Sequence, residues 1–278
     1  MKTLYVSDLD GTLLDEHARI TPVTARILTR LIEEKGLLFT VATARSPATA
    51  VKLLQDIPLR LPLVVMTGAL LYDPVDQTYP LVQALSPHTV KTLTQILDRY
   101  GISAFVHTVQ NGMIDVFYRQ LTTDFERLFV SRRTGTGFKR FFQTSDYMSA
   151  IRGGQVTLFT VMNKKEVVDL LRPEFEAVPG TTCYCYREEY GSDNYYLEVF
   201  SQQTSKASAL QKLMEMTGAE ALCSFGDNVN DIPMFRISTE SYATQNAAEA
   251  AKAAACGVIG PNTGDGVARF LEKRFLQS

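Results

Sequence analysis

Thr3-Leu4-Tyr5-Val6-Ser7-Asp8-Leu9-Asp10-Gly11-Thr12 is a short apolar run that ends in two carboxylates and a glycine. Side chains alternate along a strand with a period of two, so an extended chain points Asp8 and Asp10 to one side. Two carboxylates ~4 Å apart repel by about 4 kcal/mol at an effective dielectric of 20, a cost that a cation or a shared proton removes. Gly11 permits a sharp exit that leaves both acids at the carboxyl end of the strand, where open α/β sheets bind ligands. Taken alone, the pentapeptide from Asp8 to Thr12 also fits an acidic turn after an edge strand.

Outward from this run the chain alternates strand and helix. Thr21-Pro22 offers an N-cap with Pro at the first helical position, and Ile27, Leu28, Leu31 and Ile32 fall on one helical face that Gly36 ends. Residues 37–42 read as a second strand, Ser46-Pro47 repeats the cap signal, and residues 63–67 read as a third strand. Fully apolar strands separated by helices require a parallel sheet covered on both faces, an α/β doubly wound unit. From about residue 83 the pattern changes. Strand-like runs at 102–107 and 113–118 flank Asn111-Gly112, a hairpin signal. A helix near 121–130, a basic loop, a strand at 156–162, a helix near 164–171 and strands at 182–189 and 195–200 complete an α+β module. After about residue 203 the α/β rhythm returns, with a helix from Ser205 to Thr217 ended by Gly218 and an apolar strand at 221–225. The expected architecture is a discontinuous, Rossmann-like core of residues 1–82 and 203–278, with residues 83–202 as an inserted domain.

The 278 residues are 45% hydrophobic and 21% charged, enough to bury a sizeable core and too apolar for disorder. Lys plus Arg number 28 against 30 acids, a net charge of −2 that argues against a nucleic-acid binder. No apolar run reaches the ~20 residues that span a bilayer, and acids come too early for a signal peptide. A cytoplasmic location is expected. Cys183, Cys185, Cys223 and Cys256 form no Cys-x-x-Cys pair, and the three His have no ligand-spaced partners, so no zinc site is expected. Cys183 and Cys185 would lie on one side of a strand as small buried thiols. The sequence leaves the oligomeric state open.

A second acidic element, Gly226-Asp227-Asn228-Val229-Asn230-Asp231, also follows an apolar strand. Two strand ends supplying hard oxygen ligands suit Mg²⁺, which uses one or two carboxylates, waters and substrate phosphate. Thr43-Ala44-Arg45 ends the second strand with a hydroxyl and a cation, and Lys206 begins the helix before the acidic loop. All four elements therefore fall at strand ends or adjoining helix starts.

In this order the four elements resemble the motifs of the haloacid dehalogenase superfamily, and their details resemble its Cof-type phosphatases (subfamily IIB). Asp8-Leu9-Asp10-Gly11-Thr12-Leu13-Leu14, Thr43-Ala44-Arg45, Lys206 and the loop from Gly226 to Asp231 carry the likeness, with Asn246-Ala247 and Asp265-Gly266-Val267-Ala268 near the end. The long interval between Thr43 and Lys206 leaves room for a cap domain at the Cof position. The chain departs from the family where Ala44 replaces the usual Gly, Thr67 replaces the Asn of Asn-Gly-Ala, and Gln245 and Thr204 stand in place of Gly.

The resemblance implies a Mg²⁺-dependent phosphatase acting on a small cytosolic phosphomonoester, a sugar phosphate or a phosphorylated cofactor, through an aspartyl-phosphate. In that scheme Asp8 is the nucleophile and Asp10 the general acid and base. Asp8, the Asp10 backbone carbonyl and Asp227 hold the metal. Leu9, Thr43, Ala44, Lys206 and Asn230 cradle the phosphoryl oxygens, and Asp231 orients Lys206 or a metal-bound water. Arg45 either contacts substrate or forms a salt bridge. The inserted domain selects substrate, and its basic stretch, residues 131–140, is either a substrate contact or a solvated loop. A sugar phosphomutase and a non-catalytic phosphometabolite sensor are the alternatives.

Overall fold

A computed structural model gives the structure of the protein and describes residues 1–135, 137–188 and 193–276. Thr136, within the basic stretch, and Glu189, the last residue of one expected strand, lie outside them. The chain divides into two compact units, one of Met1–Leu81 with Ser205–Ser278 and one of Val82–Thr204.

The first unit begins with β1 (Thr3–Ser7), α1 (Pro22–Lys35), β2 (Leu38–Val41), α2 (Pro47–Leu53), β3 (Leu63–Val65), β4 (Leu70–Asp73) and β5 (Thr78–Val82). Thr21 caps α1 by accepting the Thr24 N–H at 3.0 Å, and Gly36 ends it in the left-handed conformation. Ser46, which carries the same sequence signal, makes no side-chain cap bond to α2. The third strand stops at Val65, earlier than expected, because Met66 and Thr67 take positive φ and turn the chain into the β3-β4-β5 sheet.

The second unit runs through α3 (Pro87–Tyr100), β6 (Phe105–Gln110), β7 (Met113–Tyr118), α4 (Asp124–Ser131), β8 (Lys139–Gln143), α5 (Tyr147–Ala150), β9 (Gln155–Lys164), α6 (Lys165–Glu176), β10 (Thr181–Arg187) and β11 (Asn194–Ser201). Asn111 and Gly112 both take positive φ between β6 and β7, the two-residue hairpin the sequence signals. Two elements differ from expectation. The end of the basic loop is a strand, β8, paired in parallel with β7. Helix α6 continues through Pro173 to Glu176, past the expected end near residue 171. The sheet order is β10-β11-β9-β6-β7-β8. Val106, Phe117, Phe159, Val161, Leu197 and Val199 bury one face against α3, α5 and α6, and Cys183 and Cys185 pack there as partly buried free thiols.

The first unit resumes with α7 (Lys206–Thr217), β12 (Ala221–Gly226), α8 (Ile232–Ile237), β13 (Glu240–Thr244), α9 (Glu249–Ala254), β14 (Gly257–Ile259) and α10 (Gly266–Leu276). Its main sheet has the order β14-β13-β12-β1-β2, with every pairing parallel. Leu4, Val6, Leu222 and Ala243 pack under α7 and α8 through Leu210, Leu213 and Met234. Strand β1 lies between β2 and β12, with Ser7 opposite Phe225 and Val41. The residues that follow these three strands, Asp8, Asp227 and Thr43, therefore share one end of the sheet. No helix among the described residues is long and apolar enough to cross a membrane.

Candidate active site

The site is built on the carboxyl ends of β1 and β12. The Asp8 N–H donates to the Phe225 carbonyl at 2.9 Å, continuing the ladder one residue past the strand. The chain then turns at Gly11, whose φ is +75°. A Cβ at Gly11 would stand 2.4 Å from the Asp227 Oδ2, so the close approach needs glycine as much as the dihedral does. Thr12 uses that proximity and donates its hydroxyl to the Asp227 Oδ1 at 2.8 Å.

Lys206 enters from the first turn of α7. Gly68 lets it approach, since a Cβ there would fall 2.1 Å from the Ser205 carbonyl oxygen. The Lys206 side chain is 98% buried, and its Nζ donates to the Asp8 Oδ1 at 2.6 Å and the Asp231 Oδ1 at 2.7 Å. Asp231 is fully buried, and its Oδ2 accepts the N–H groups of Asp227 and Asn228 at 3.0 and 3.1 Å. Its two oxygens thus fix Lys206 on one side and the loop carrying Asp227 on the other.

Burial raises the pKa of Asp8 to about 7, with Asp231 and Asp227 adding to the rise and Lys206 opposing it. Burial works against the Lys206 ammonium, but Asp8 and Asp231 outweigh it and raise its pKa. Burial and Asp231 also raise Asp227, against the hydrogen bond from Thr12. Carboxylate oxygens of Asp8, Asp227 and Asp231 lie within 4.8 Å of one another. Three carboxylates face one ammonium, a deficit of positive charge that a divalent cation with a preference for oxygen ligands would correct. Because both Asp231 oxygens are engaged, Asp8 and Asp227 are the side chains that fit a metal.

Asp10 is not Asp8's neighbour in this cluster. The chain leaves the extended conformation at Leu9, which begins a short helical turn over Leu9–Leu13, and the half-exposed Asp10 carboxylate turns to Arg45, which donates from Nε at 2.7 Å and Nη2 at 2.5 Å. Of the two expectations for Arg45, the salt bridge is present. Thr43 is buried, and its hydroxyl accepts the Arg45 N–H at 3.1 Å. The Leu9 side chain is fully buried, whereas Ala44 and Asn230 are exposed. Sequence reading missed the residues that brace the loop. Asn246 donates to the Gly11 carbonyl at 2.7 Å, and Asn262 donates to the Leu14 carbonyl at 2.8 Å. The Asn262 N–H also binds the Asn246 Oδ1 at 3.0 Å, and Asp265 accepts the hydroxyls of Thr21 and Thr24. Asn246-Ala247 and Asp265-Gly266 were the available signals, without any indication of what they touch.

A family model for haloacid dehalogenase-like hydrolases matches residues 5–271. The 5-amino-6-(5-phospho-D-ribitylamino)uracil phosphatase YitU of Bacillus subtilis is 28% identical over 98% of this chain and 97% of its own. The pyridoxal phosphate phosphatase YbhA of Escherichia coli is 26% identical over 97% of both chains. Among solved structures, a haloacid dehalogenase-like hydrolase from Bacteroides thetaiotaomicron aligns over 99% of this chain and 100% of its own, with a TM-score of 0.78 and 22% identity.

Proposed function

The chain belongs to the haloacid dehalogenase-like hydrolases, and from that premise we propose that it hydrolyses phosphomonoesters of small molecules with Asp8 as the nucleophile. The observation that carries this reading is the buried Asp8 carboxylate, held at a strand end by Lys206 and ringed by Asp227 and Asp231. A binding module has no need of a carboxylate fixed in this way.

The reaction divides into two displacements. An Asp8 carboxylate oxygen attacks phosphorus as the bond to the ester oxygen breaks, and protonated Asp10 gives its proton to the departing alkoxide. Water then attacks phosphorus of the aspartyl-phosphate while Asp10 takes its proton, which releases inorganic phosphate and restores Asp8. Lys206 and the Thr43 hydroxyl donate to the phosphoryl oxygens, with Asn230 and the N–H groups of Leu9 and Ala44 completing the cradle. Arg45 fixes Asp10 through both oxygens and must release one for Asp10 to reach the leaving group. Mg²⁺ fits Asp8, Asp227 and the Asp10 carbonyl, and when bound it offsets the repulsion between the nucleophile and the phosphate dianion. Asp231 acts through Lys206 and the Asp227 loop.

Relatives named as phosphatases of a phosphorylated ribitylaminouracil and of pyridoxal phosphate support a small phosphorylated metabolite or cofactor as substrate. Substrate selection is assigned to the inserted unit. The test is phosphate release from sugar phosphates, nucleotides and phosphorylated cofactors, with Mg²⁺ or EDTA, for wild type and Asp8→Asn. The expected result is Mg²⁺-dependent turnover that is absent in the variant. A folded wild type that binds Mg²⁺ but releases phosphate from nothing would overturn the reading in favour of a mutase or a sensor.

A further inference from the structure

Gly11 brings two acidic segments together but leaves a loose joint beside them. Only glycine lets the chain pass so close to the Asp227 carboxylate, yet glycine also leaves φ and ψ freer than any other residue does. Those two angles, +75° and −3°, set the peptide carrying the Asp10 carbonyl against the one carrying the Gly11 carbonyl. Each peptide is itself planar, so φ and ψ are the only soft joints between the two carbonyls. The Asp10 carbonyl, one of the groups that fit Mg²⁺, therefore keeps its direction only if something outside the turn holds the next peptide.

The segment from the end of β13 to the start of α9 supplies that hold. The Asn246 Nδ2 donates to the Gly11 carbonyl at 2.7 Å, and the buried Thr244 hydroxyl donates to the same oxygen at 3.3 Å. The Asn246 Oδ1 accepts the Asn262 N–H at 3.0 Å, so both ends of the carboxamide are engaged although the residue is exposed. Further along the same segment, the Ala248 N–H donates to the Asp227 carbonyl at 2.8 Å. Asp227 is also held by Thr12 at its Oδ1 and by Asp231 at its N–H. One short segment thus grips both acidic loops, beside the Asp10 carbonyl on one side and at Asp227 itself on the other. Gln245, Asn246, Ala247 and Ala248 include no carboxylate, so this segment bears on a metal only through the groups it holds.

Mg²⁺ and Ca²⁺ respond differently to a loosened ligand. Mg²⁺ demands near-ideal octahedral geometry at about 2.0–2.1 Å, whereas Ca²⁺ accepts more oxygens at about 2.3–2.6 Å in flexible arrangements. We propose that Asn246 is a positioning residue for the metal. By pinning the Gly11 peptide in the segment that also holds Asp227, it fixes the span between the Asp10 carbonyl and Asp227 and so favours Mg²⁺ over Ca²⁺. The proposal rests on the reading of this cluster as the metal site of a phosphatase. A purely structural role for Asn246 would weaken both ions alike.

The test is calorimetric titration of the full chain with Mg²⁺ and, separately, with Ca²⁺, well below the melting temperature. Wild type should bind Mg²⁺ more tightly than Ca²⁺, and Asp227→Asn should lose that binding, which places the ion. Asn246→Ala should weaken Mg²⁺ by about 10–100-fold, the usual cost of removing a group that orients a ligand. It should weaken Ca²⁺ by less, so the preference for Mg²⁺ narrows. Thr244→Val, which removes the longer of the two bonds to Gly11, should narrow it by a smaller amount. A wild type that binds neither ion, or an Asp227→Asn chain that binds Mg²⁺ as wild type does, would overturn the metal reading and this inference with it. Where Mg²⁺ binds at Asp227, an unchanged Mg²⁺ affinity in Asn246→Ala, equal losses for both ions, or a wild type that prefers Ca²⁺ would overturn the positioning role alone.

Discussion

At Gly11 two demands meet on one residue. Its φ of +75° costs a side-chain-bearing residue about 1–2 kcal/mol, and the space a Cβ would fill belongs to the Asp227 carboxylate. Gly11→Ala should therefore lower stability by at least that amount and displace Asp227. An ångström of displacement at a reacting centre can cost about 10²-fold in rate, and kinetics paired with thermal melts would separate the two losses. The backbone two residues earlier explains what the sequence could not show. Asp8 and Asp10 read as neighbours only while the chain is extended, and the helical turn that begins at Leu9 sends Asp10 to Arg45 instead. If that ion pair positions the general acid, Asp10→Asn should lower kcat by about 10²–10⁴-fold, and Arg45→Ala should lower it by less. An Arg45→Ala enzyme with wild-type kcat would show that the pair is dispensable for positioning.

Elements differ in how openly the sequence declares them. Strands β1, β2 and β12 were legible because each is a short apolar run bounded by helix signals, whereas their order in the sheet comes from the structure. Strand β8 was hidden because Lys139, Arg140, Phe141 and Phe142 show no simple alternation: Lys139 lies buried on one face while Arg140 pairs with Asp115 on the other. Helix α6 was expected only to about residue 171, yet it runs on through Pro173, where local propensity yields to the packing of Phe175 in the core. Contacts between distant segments left no trace in any single stretch, as with Asn262, which holds the Leu14 carbonyl from 248 residues away. One such tie has a definite pH signature. Glu240 of β13 accepts both Arg274 Nη groups of α10 at 2.6 Å, which lowers its pKa to about 2 against an ordinary 4.5. With each side chain about a third exposed, screening limits the pair to about 1 kcal/mol. A lowered carboxylate pKa stabilises the fold above the unfolded value and loses that contribution as pH falls through the folded one. Wild type should thus melt above Glu240→Gln at neutral pH, with the gap closing between about pH 4.5 and 2. A gap that persisted at pH 2 would contradict the ion pair as its source.

For the whole molecule, folding gathers carboxylates from two places in the chain, Asp8 after β1 and Asp227 with Asp231 after β12, around a single lysine. Motif order and strand-end position made Asp8, Asp227 and Lys206 legible, but only the structure shows that Asp231 is saturated by Lys206 and two backbone N–H groups. A divalent ion that binds this cluster and not the unfolded chain stabilises the fold by about 2.7 kcal/mol at a hundred times its Kd. Mg²⁺ should accordingly raise the wild-type Tm, EDTA should reverse the rise, and Asp227→Asn should blunt it. An equal rise in Asp227→Asn would place the ion elsewhere. The central claim is that phosphate passes through Asp8. Its most direct test is to quench the enzyme during turnover of a substrate it hydrolyses, reduce it with borohydride and map the peptides by mass. An acyl phosphate on Asp8 is converted to homoserine at that position alone, which is the predicted result. Reduction at another carboxylate, or at none under steady turnover, would contradict it.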